Sequence, residues 1–198
     1  MTPPPSRHWL IADVAPDFRL LDVWPLPVEG GREEFGSFLE MVASFDPAAA
    51  ESAATRALFA LRLRVGGWLG WDDARPRPIP GRTETTLRVR LPEELRGSAR
   101  SPSIGGALHR TAAGFVPLYR TDDEWAAEIS NATVHGVLHL GWVDQGGGRY
   151  RAELGVYVKP RGRLGDAYLA LIAPFRHLVV YPALMRQMGR AWEARTPV

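Results

Sequence analysis

Two histidines, His135 and His139, stand four residues apart in "TVHGVLHLGWV", and two glutamates, Glu124 and Glu128, share that spacing just upstream in "DDEWAAEIS". Imidazole titrates near neutral pH and a carboxylate can also act as a general acid or base. His135, His139 and Glu128 are therefore the candidates for acid–base catalysis, and the histidines also for orienting a polar ligand group. On a helix this spacing would stack the histidines one turn apart as a metal pair. On a strand it puts them on one face but about 13 Å apart, which leaves them barely able to meet at one ion through Zn–N bonds of about 2 Å. The β-branched residues, the glycines and the following "DQGGGR" oppose a helix, so the strand reading is taken and no metal is expected. The same separation is too wide for the paired carboxylates of a glycosidase, although either glutamate could act singly. The alternative for both is a solvated face opposite Trp125, Ala127 and Ile129.

A second group lies in "PFRHLVVYP", where Arg176, His177 and Tyr181 interrupt an otherwise apolar helix. A guanidinium there could grip a carboxylate or phosphate through two parallel hydrogen bonds. Alternatively Arg176 and His177 mark an exposed stripe, with His177 and Tyr181 as a surface pair one turn apart. Met185 and Met188 read as core, or as an adaptable ligand wall.

The elements that must position these residues follow from periodicity. "DFRLLDVWPL" reads as a first strand, and "EEFGSFLEMVASFD" as an amphipathic helix with Phe35, Phe38, Leu39, Val42 and Phe45 on one face. A second helix is expected from Ala48 to about Val65, after Pro47. "FVPLYR", "EWAAEIS", "TVHGVLHLGWV" and "YRAELGVYVKP" are four strands with separators short enough for antiparallel hairpins. The chain closes with a long helix carrying Tyr168, Leu171, Ile172, Phe175, Leu178, Val179, Met185, Met188 and Trp192, kinked at Pro174 and Pro182. Residues 1–7 form a disordered lead-in. Residues 8–198 form one domain, with long loops at about 72–86 and 97–114 that suit lids or entrance gates.

Strand register decides which way the histidines face. If Val143 pairs with Tyr150, then His135, Val137 and His139 join the apolar face; a shift of one residue puts Leu138, Leu140 and Trp142 there and sends both histidines to solvent. Both registers remain open at this level.

Composition narrows the function. The absence of cysteine among 198 residues excludes disulfides, thiolate nucleophiles and cysteine-ligated zinc, and the N-terminus lacks a signal peptide's apolar core, so a cytoplasmic protein is expected. The longest apolar stretches are interrupted by Arg62, Arg64, Arg176 and His177, so no membrane span is expected. Net charge is only +2, and the arginine-rich segment from Arg75 to Arg100 has no aromatic residue to stack on a base, so nucleic acid is not expected as a partner. There is no nucleophile elbow, phosphate loop or dinucleotide fingerprint.

The stretches "HWLIADVAPDFRLLDVWPLP", "PLYRTDDEWAAEISNATVHGVLHLGWV" and "PFRHLVVYPALMRQMGRAW" together resemble the bacterial domain-of-unknown-function family 2867, over nearly the whole chain. That family looks like a branch of the SRPBCC or helix-grip superfamily, which includes START lipid-transfer and aromatase/cyclase domains. The element order independently matches it: strand, two short helices, antiparallel strands, long C-terminal helix. The resemblance implies an α+β helix-grip fold, whose curved antiparallel sheet wraps the C-terminal helix around an apolar cavity. On that reading Val137, Leu154, Val156, Phe175, Leu178 and Met185 would hold a small apolar ligand, with Arg176, Tyr181, His135 or His139 at its polar end. No cofactor is expected. The alternatives are a cyclase- or dehydratase-type enzyme on the same scaffold, using a histidine or Glu128, and an interaction module whose apolar helix packs on a partner or forms a homodimer.

Overall fold

The structure, a computed structural model, describes residues 8–44, 77–98 and 115–195. Its centre is a five-stranded antiparallel sheet: β1 (Arg19–Gly30), β2 (Val116–Arg120), β3 (Glu124–Ser130), β4 (Val134–Gly146) and β5 (Arg149–Pro160), in the spatial order β1-β5-β4-β3-β2. The four strands expected from "FVPLYR" onward form a meander, and β1 joins its far edge beside β5. The β4–β5 hairpin is tight because Gly146, Gly147 and Gly148 all take positive φ (84°, 64° and 76°), a region that costs residues with a Cβ.

The described helices are α1 (Leu10–Val14), α2 (Phe35–Ala43), α3 (Gly162–Phe175) and α4 (Tyr181–Glu193). Between α3 and α4, Arg176–Val180 form one π-helical turn. The two prolines explain it. Pro174 and Pro182 supply no N–H to the ladder, and the turn between them widens instead of breaking, so the helix continues with a local bulge. The fold is therefore α+β, with the antiparallel sheet and the long C-terminal helix read from the sequence. The lead-in at 1–7 and the helix expected at 48–65 lie outside the described residues, as do 72–76 and 99–114 of the two expected loops.

Both faces of the sheet are covered, and this corrects the one-sided picture read from alternation. Under α2 and α4 lies an aromatic core of Phe35, Phe38, Trp125, Leu140, Trp142, Leu154, Met188 and Trp192. Phe38 stacks on Trp142 at 5.8 Å between ring centroids, a geometry that adds to the burial of both rings. The indole N–H groups of Trp142 and Trp192 donate to the carbonyls of Gly31 (2.9 Å) and Glu29 (2.7 Å), so these two core rings are buried with their polar atoms satisfied. The opposite face is roofed by residues 8–18 and by the segment around the short 3-10 turns Leu87–Arg90 and Glu93–Leu95. Trp9, Ile11, Val14, Phe18, Ile79, Leu87 and Leu91 pack there against Leu118, Tyr119, Ala126 and Val137.

Candidate functional site

Val143 pairs with Arg151, not with Tyr150, so Leu138, Leu140 and Trp142 share a face with Ala152, Leu154 and Val156. By the sequence argument the histidines should then be in solvent. They are not: His135 is 0% and His139 1% exposed, because the second face carries its own roof. Glu124 and Glu128 are buried with them, which overturns the solvated-face reading of that pair.

The four residues form two matching pairs along diagonals of the β3–β4 ladder. Glu124 lies opposite Gly141, two residues from His139, and Glu128 lies opposite Val137, two residues from His135. His139 Nε2 is 3.1 Å from Glu124 Oε1, and His135 Nε2 is 2.9 Å from Glu128 Oε2. Each carboxylate also caps a helical turn in the roof. Glu124 accepts from the backbone N–H of Leu10 and Ile11 at 3.0 Å each, where α1 begins, and from the Tyr119 hydroxyl. Glu128 accepts from the Leu87 N–H at 2.9 Å and from the Thr86 hydroxyl at the start of the Leu87–Arg90 turn. First-turn N–H groups have no partner inside their own helix, so a carboxylate from the sheet satisfies them and complements the helix dipole.

Burial alone would raise the Glu124 carboxyl. The hydrogen bond and charge of His139, the Tyr119 hydroxyl and the Ile11 amide outweigh that and hold it below its ordinary value. Burial and the Glu124 charge push the Tyr119 hydroxyl far up, and the same causes with Glu153 raise Tyr157 to about 12. His135, His139 and Glu128 are thus polar staples buried between sheet and roof.

The second sequence group meets a partner that sequence reasoning missed. On β1, a bulge between Leu20 and Asp22 sets Asp22 opposite Val156 on the helix-covered face. Arg176 Nε lies 2.8 Å and His177 Nε2 3.2 Å from its carboxylate, and the Tyr181 hydroxyl donates to it at 2.8 Å. Asp22 is 8% exposed and Tyr181 4%, whereas the His177 side chain is 42% exposed. Trp24 lies beside both rings, 5.8 Å from His177 and 4.9 Å from Tyr181. Burial and the Asp22 charge push the Tyr181 hydroxyl well above its usual range. The π turn lets consecutive residues Arg176 and His177 reach one carboxylate. One signal was available in the sequence: an acid in an apolar strand, "RLLDVWPL", and a base in an apolar helix are complementary misfits.

The expected ligand wall is redistributed. Leu154 is closed into the aromatic core, and Val137 lies on the opposite face with the buried histidines, so the two cannot line one wall. Leu178 points outward at 76% exposure. Phe175 ends α3, and its side chain lies outside the described residues. Met185 and Val156 remain half-buried beside the core, and Val156 also adjoins the smaller cluster of Val134, Val158, Leu169, Leu21, Tyr168 and Ile172 beneath α3.

A separate open cleft of about 620 Å³ is lined by Arg32, Glu33, Phe35, Gly36, Ser98, Arg120, Thr121 and Asp122. It was not expected from the sequence, and its mixed charges do not suit an apolar guest.

In comparison with known proteins, a family model described as "Protein of unknown function (DUF2867)" fits residues 14–183. No curated protein and no solved structure matches the chain.

Proposed function

The chain belongs to the DUF2867 family, and we propose that it is a binding protein for a small, largely apolar ligand, held between the sheet and the C-terminal helix on a helix-grip scaffold. The observation that carries this reading is the change in packing along that helix. Under α4 the aromatic core is built on the buried Trp142, Met188 and Trp192, whereas under α3 the smaller buried cluster of Val134, Val158 and Leu169 is flanked by a half-buried row of Leu21, Val156, Tyr168 and Ile172, and this apolar row ends at the polar group on Asp22. An apolar body along the row with a polar head at Arg176 and His177 uses both features, in the pattern of small-molecule sites that combine apolar walls with a few placed polar groups. Binding is favoured over catalysis by His135, His139 and Glu128, because all three are buried between the sheet and its roof.

Titration with the fluorescent fatty acid cis-parinaric acid and with its methyl ester tests this. The acid should bind, Val156→Trp should weaken binding about tenfold or more by filling the row, and His177→Ala should weaken the acid but not the ester. No binding of either probe, together with an empty organic extract of gently purified protein, would overturn it.

One observation favours a second reading. The half-exposed His177 is oriented by a buried carboxylate 3.2 Å away, the arrangement that readies an imidazole as a general base. An enzyme of cyclase or dehydratase type would then work through His177 and Asp22, and His177→Ala would abolish turnover while leaving ligand affinity nearly intact.

A further inference from the structure

The outward side of α3 and of the π turn that continues it carries a feature that neither the polar staples nor the ligand reading uses. Leu164, Leu171 and Leu178 are 64%, 73% and 76% exposed, although leucine at such positions gains nothing from water. They are spaced by seven residues, with exposed Ala167, Ala170 and Pro174 between them, so they form one continuous stripe about 21 Å long. Between Arg163 and Arg186 the charged side chains and histidines are Asp166, Arg176 and His177, and the last two are engaged with Asp22. Beyond the stripe stand exposed Arg163 on one side and exposed Arg186 on the other.

We infer that this face of α3 docks on an anionic lipid surface, the three leucines entering the acyl boundary and the flanking arginines meeting the headgroups. The apolar stripe bracketed by arginine is the pattern of a helix lying in the plane of a bilayer interface. The helix from Gly162 to Glu193 is long and apolar enough to cross a membrane, but Arg176 and His177 tie its middle to Asp22 on β1, so one side stays on the sheet and only the other is free for lipid. Charge argues against a parallel second copy as the occupant: that pairing sets Arg163 on Arg163 and Arg186 on Arg186, so positive groups meet, whereas an anionic surface neutralises them.

The test is flotation of the full chain with phosphatidylcholine vesicles containing about one third phosphatidylglycerol, and with phosphatidylcholine alone. The wild-type chain should float with the anionic vesicles, about tenfold more than with neutral ones, and salt should weaken the binding. The double variant Leu171→Glu, Leu178→Glu should lose about tenfold or more while keeping its circular dichroism and its cis-parinaric acid affinity, since both residues are exposed. Three outcomes would overturn the inference: wild-type chain that stays with the soluble fraction, a double variant that floats equally well, or a sedimenting dimer that Leu171→Glu converts to monomer without vesicle binding. The last would assign the stripe to a second copy.

Discussion

The indole of Trp9 lies 5.1 Å from the imidazole of His139, centroid to centroid, and it reaches that position because residue 141 has no side chain. A Cβ on Gly141 would come within 2.7 Å of the Trp9 ring, and one on Gly155 would press on His139 Nδ1 at 3.2 Å. Glycine in these two strands makes room for the roof to close over the Glu124–His139 pair, a positional use distinct from turn formation.

Gly141→Ala should therefore lift residues 8–18 from the sheet. The expected cost is about 1–3 kcal/mol, as for overpacking of a closed core. Urea denaturation would measure it, and limited proteolysis should show new cleavage between residues 8 and 18. An unchanged midpoint with no new cleavage would mean that Trp9 repacks freely.

The buried pairs predict a direction for acid sensitivity. The Glu124 carboxyl is held below its ordinary value of 4.5, and Asp17 is held far lower by its hydrogen bond to Arg90, against burial, with help from Lys159 and Arg82. A carboxyl depressed in the folded state contributes stability that is fully present above the unfolded value, about pH 4–4.5, and is lost as pH falls through the folded one. The urea midpoint should thus be level from pH 7 to about 5 and fall steeply below. Glu124→Gln should be less stable at pH 7 and fall less steeply, because its side chain has no proton to gain. His139→Ala, which leaves a buried carboxylate short of a partner, should cost about 3–5 kcal/mol at pH 7.

The Asp22 cluster predicts unequal costs at its partners. Tyr181→Phe removes a buried hydrogen bond to a charged group and should cost about 1.5–3 kcal/mol. Asp22→Ala leaves Arg176 without its buried counter-charge and should cost more, about 3–5 kcal/mol. His177→Ala, at a half-exposed position, should cost less than about 1 kcal/mol. Thermal melts of the three variants check the ranking, and near-equal losses would show that the cluster does not converge on Asp22.

Much of the architecture was legible because it is written in local periodicity. The hairpins of β2 to β5 follow from short polar separators between alternating runs, and α2 from the spacing of Phe35, Phe38 and Leu39. The C-terminal helix is legible with its two prolines, and a π turn stands between them. For the site, Arg176 and Tyr181 stand out in the sequence as polar side chains on an apolar helix, but their partner Asp22 lies 154 and 159 residues away in sequence, and no local pattern encodes that contact.

What the sequence by itself determined is the five strands, α2 and the long C-terminal helix, and that His135 and His139 share one face with four-residue spacing, since side-chain alternation is a property of the backbone. What only the tertiary structure decided is the environment of that face. Alternation assigns a side chain to one face of a sheet but says nothing of what covers it. Here residues 8–18 and 77–98 fold back over the face and bring the N–H groups of Leu10, Ile11 and Leu87 to Glu124 and Glu128, so residues that looked like a solvated or catalytic surface are buried staples.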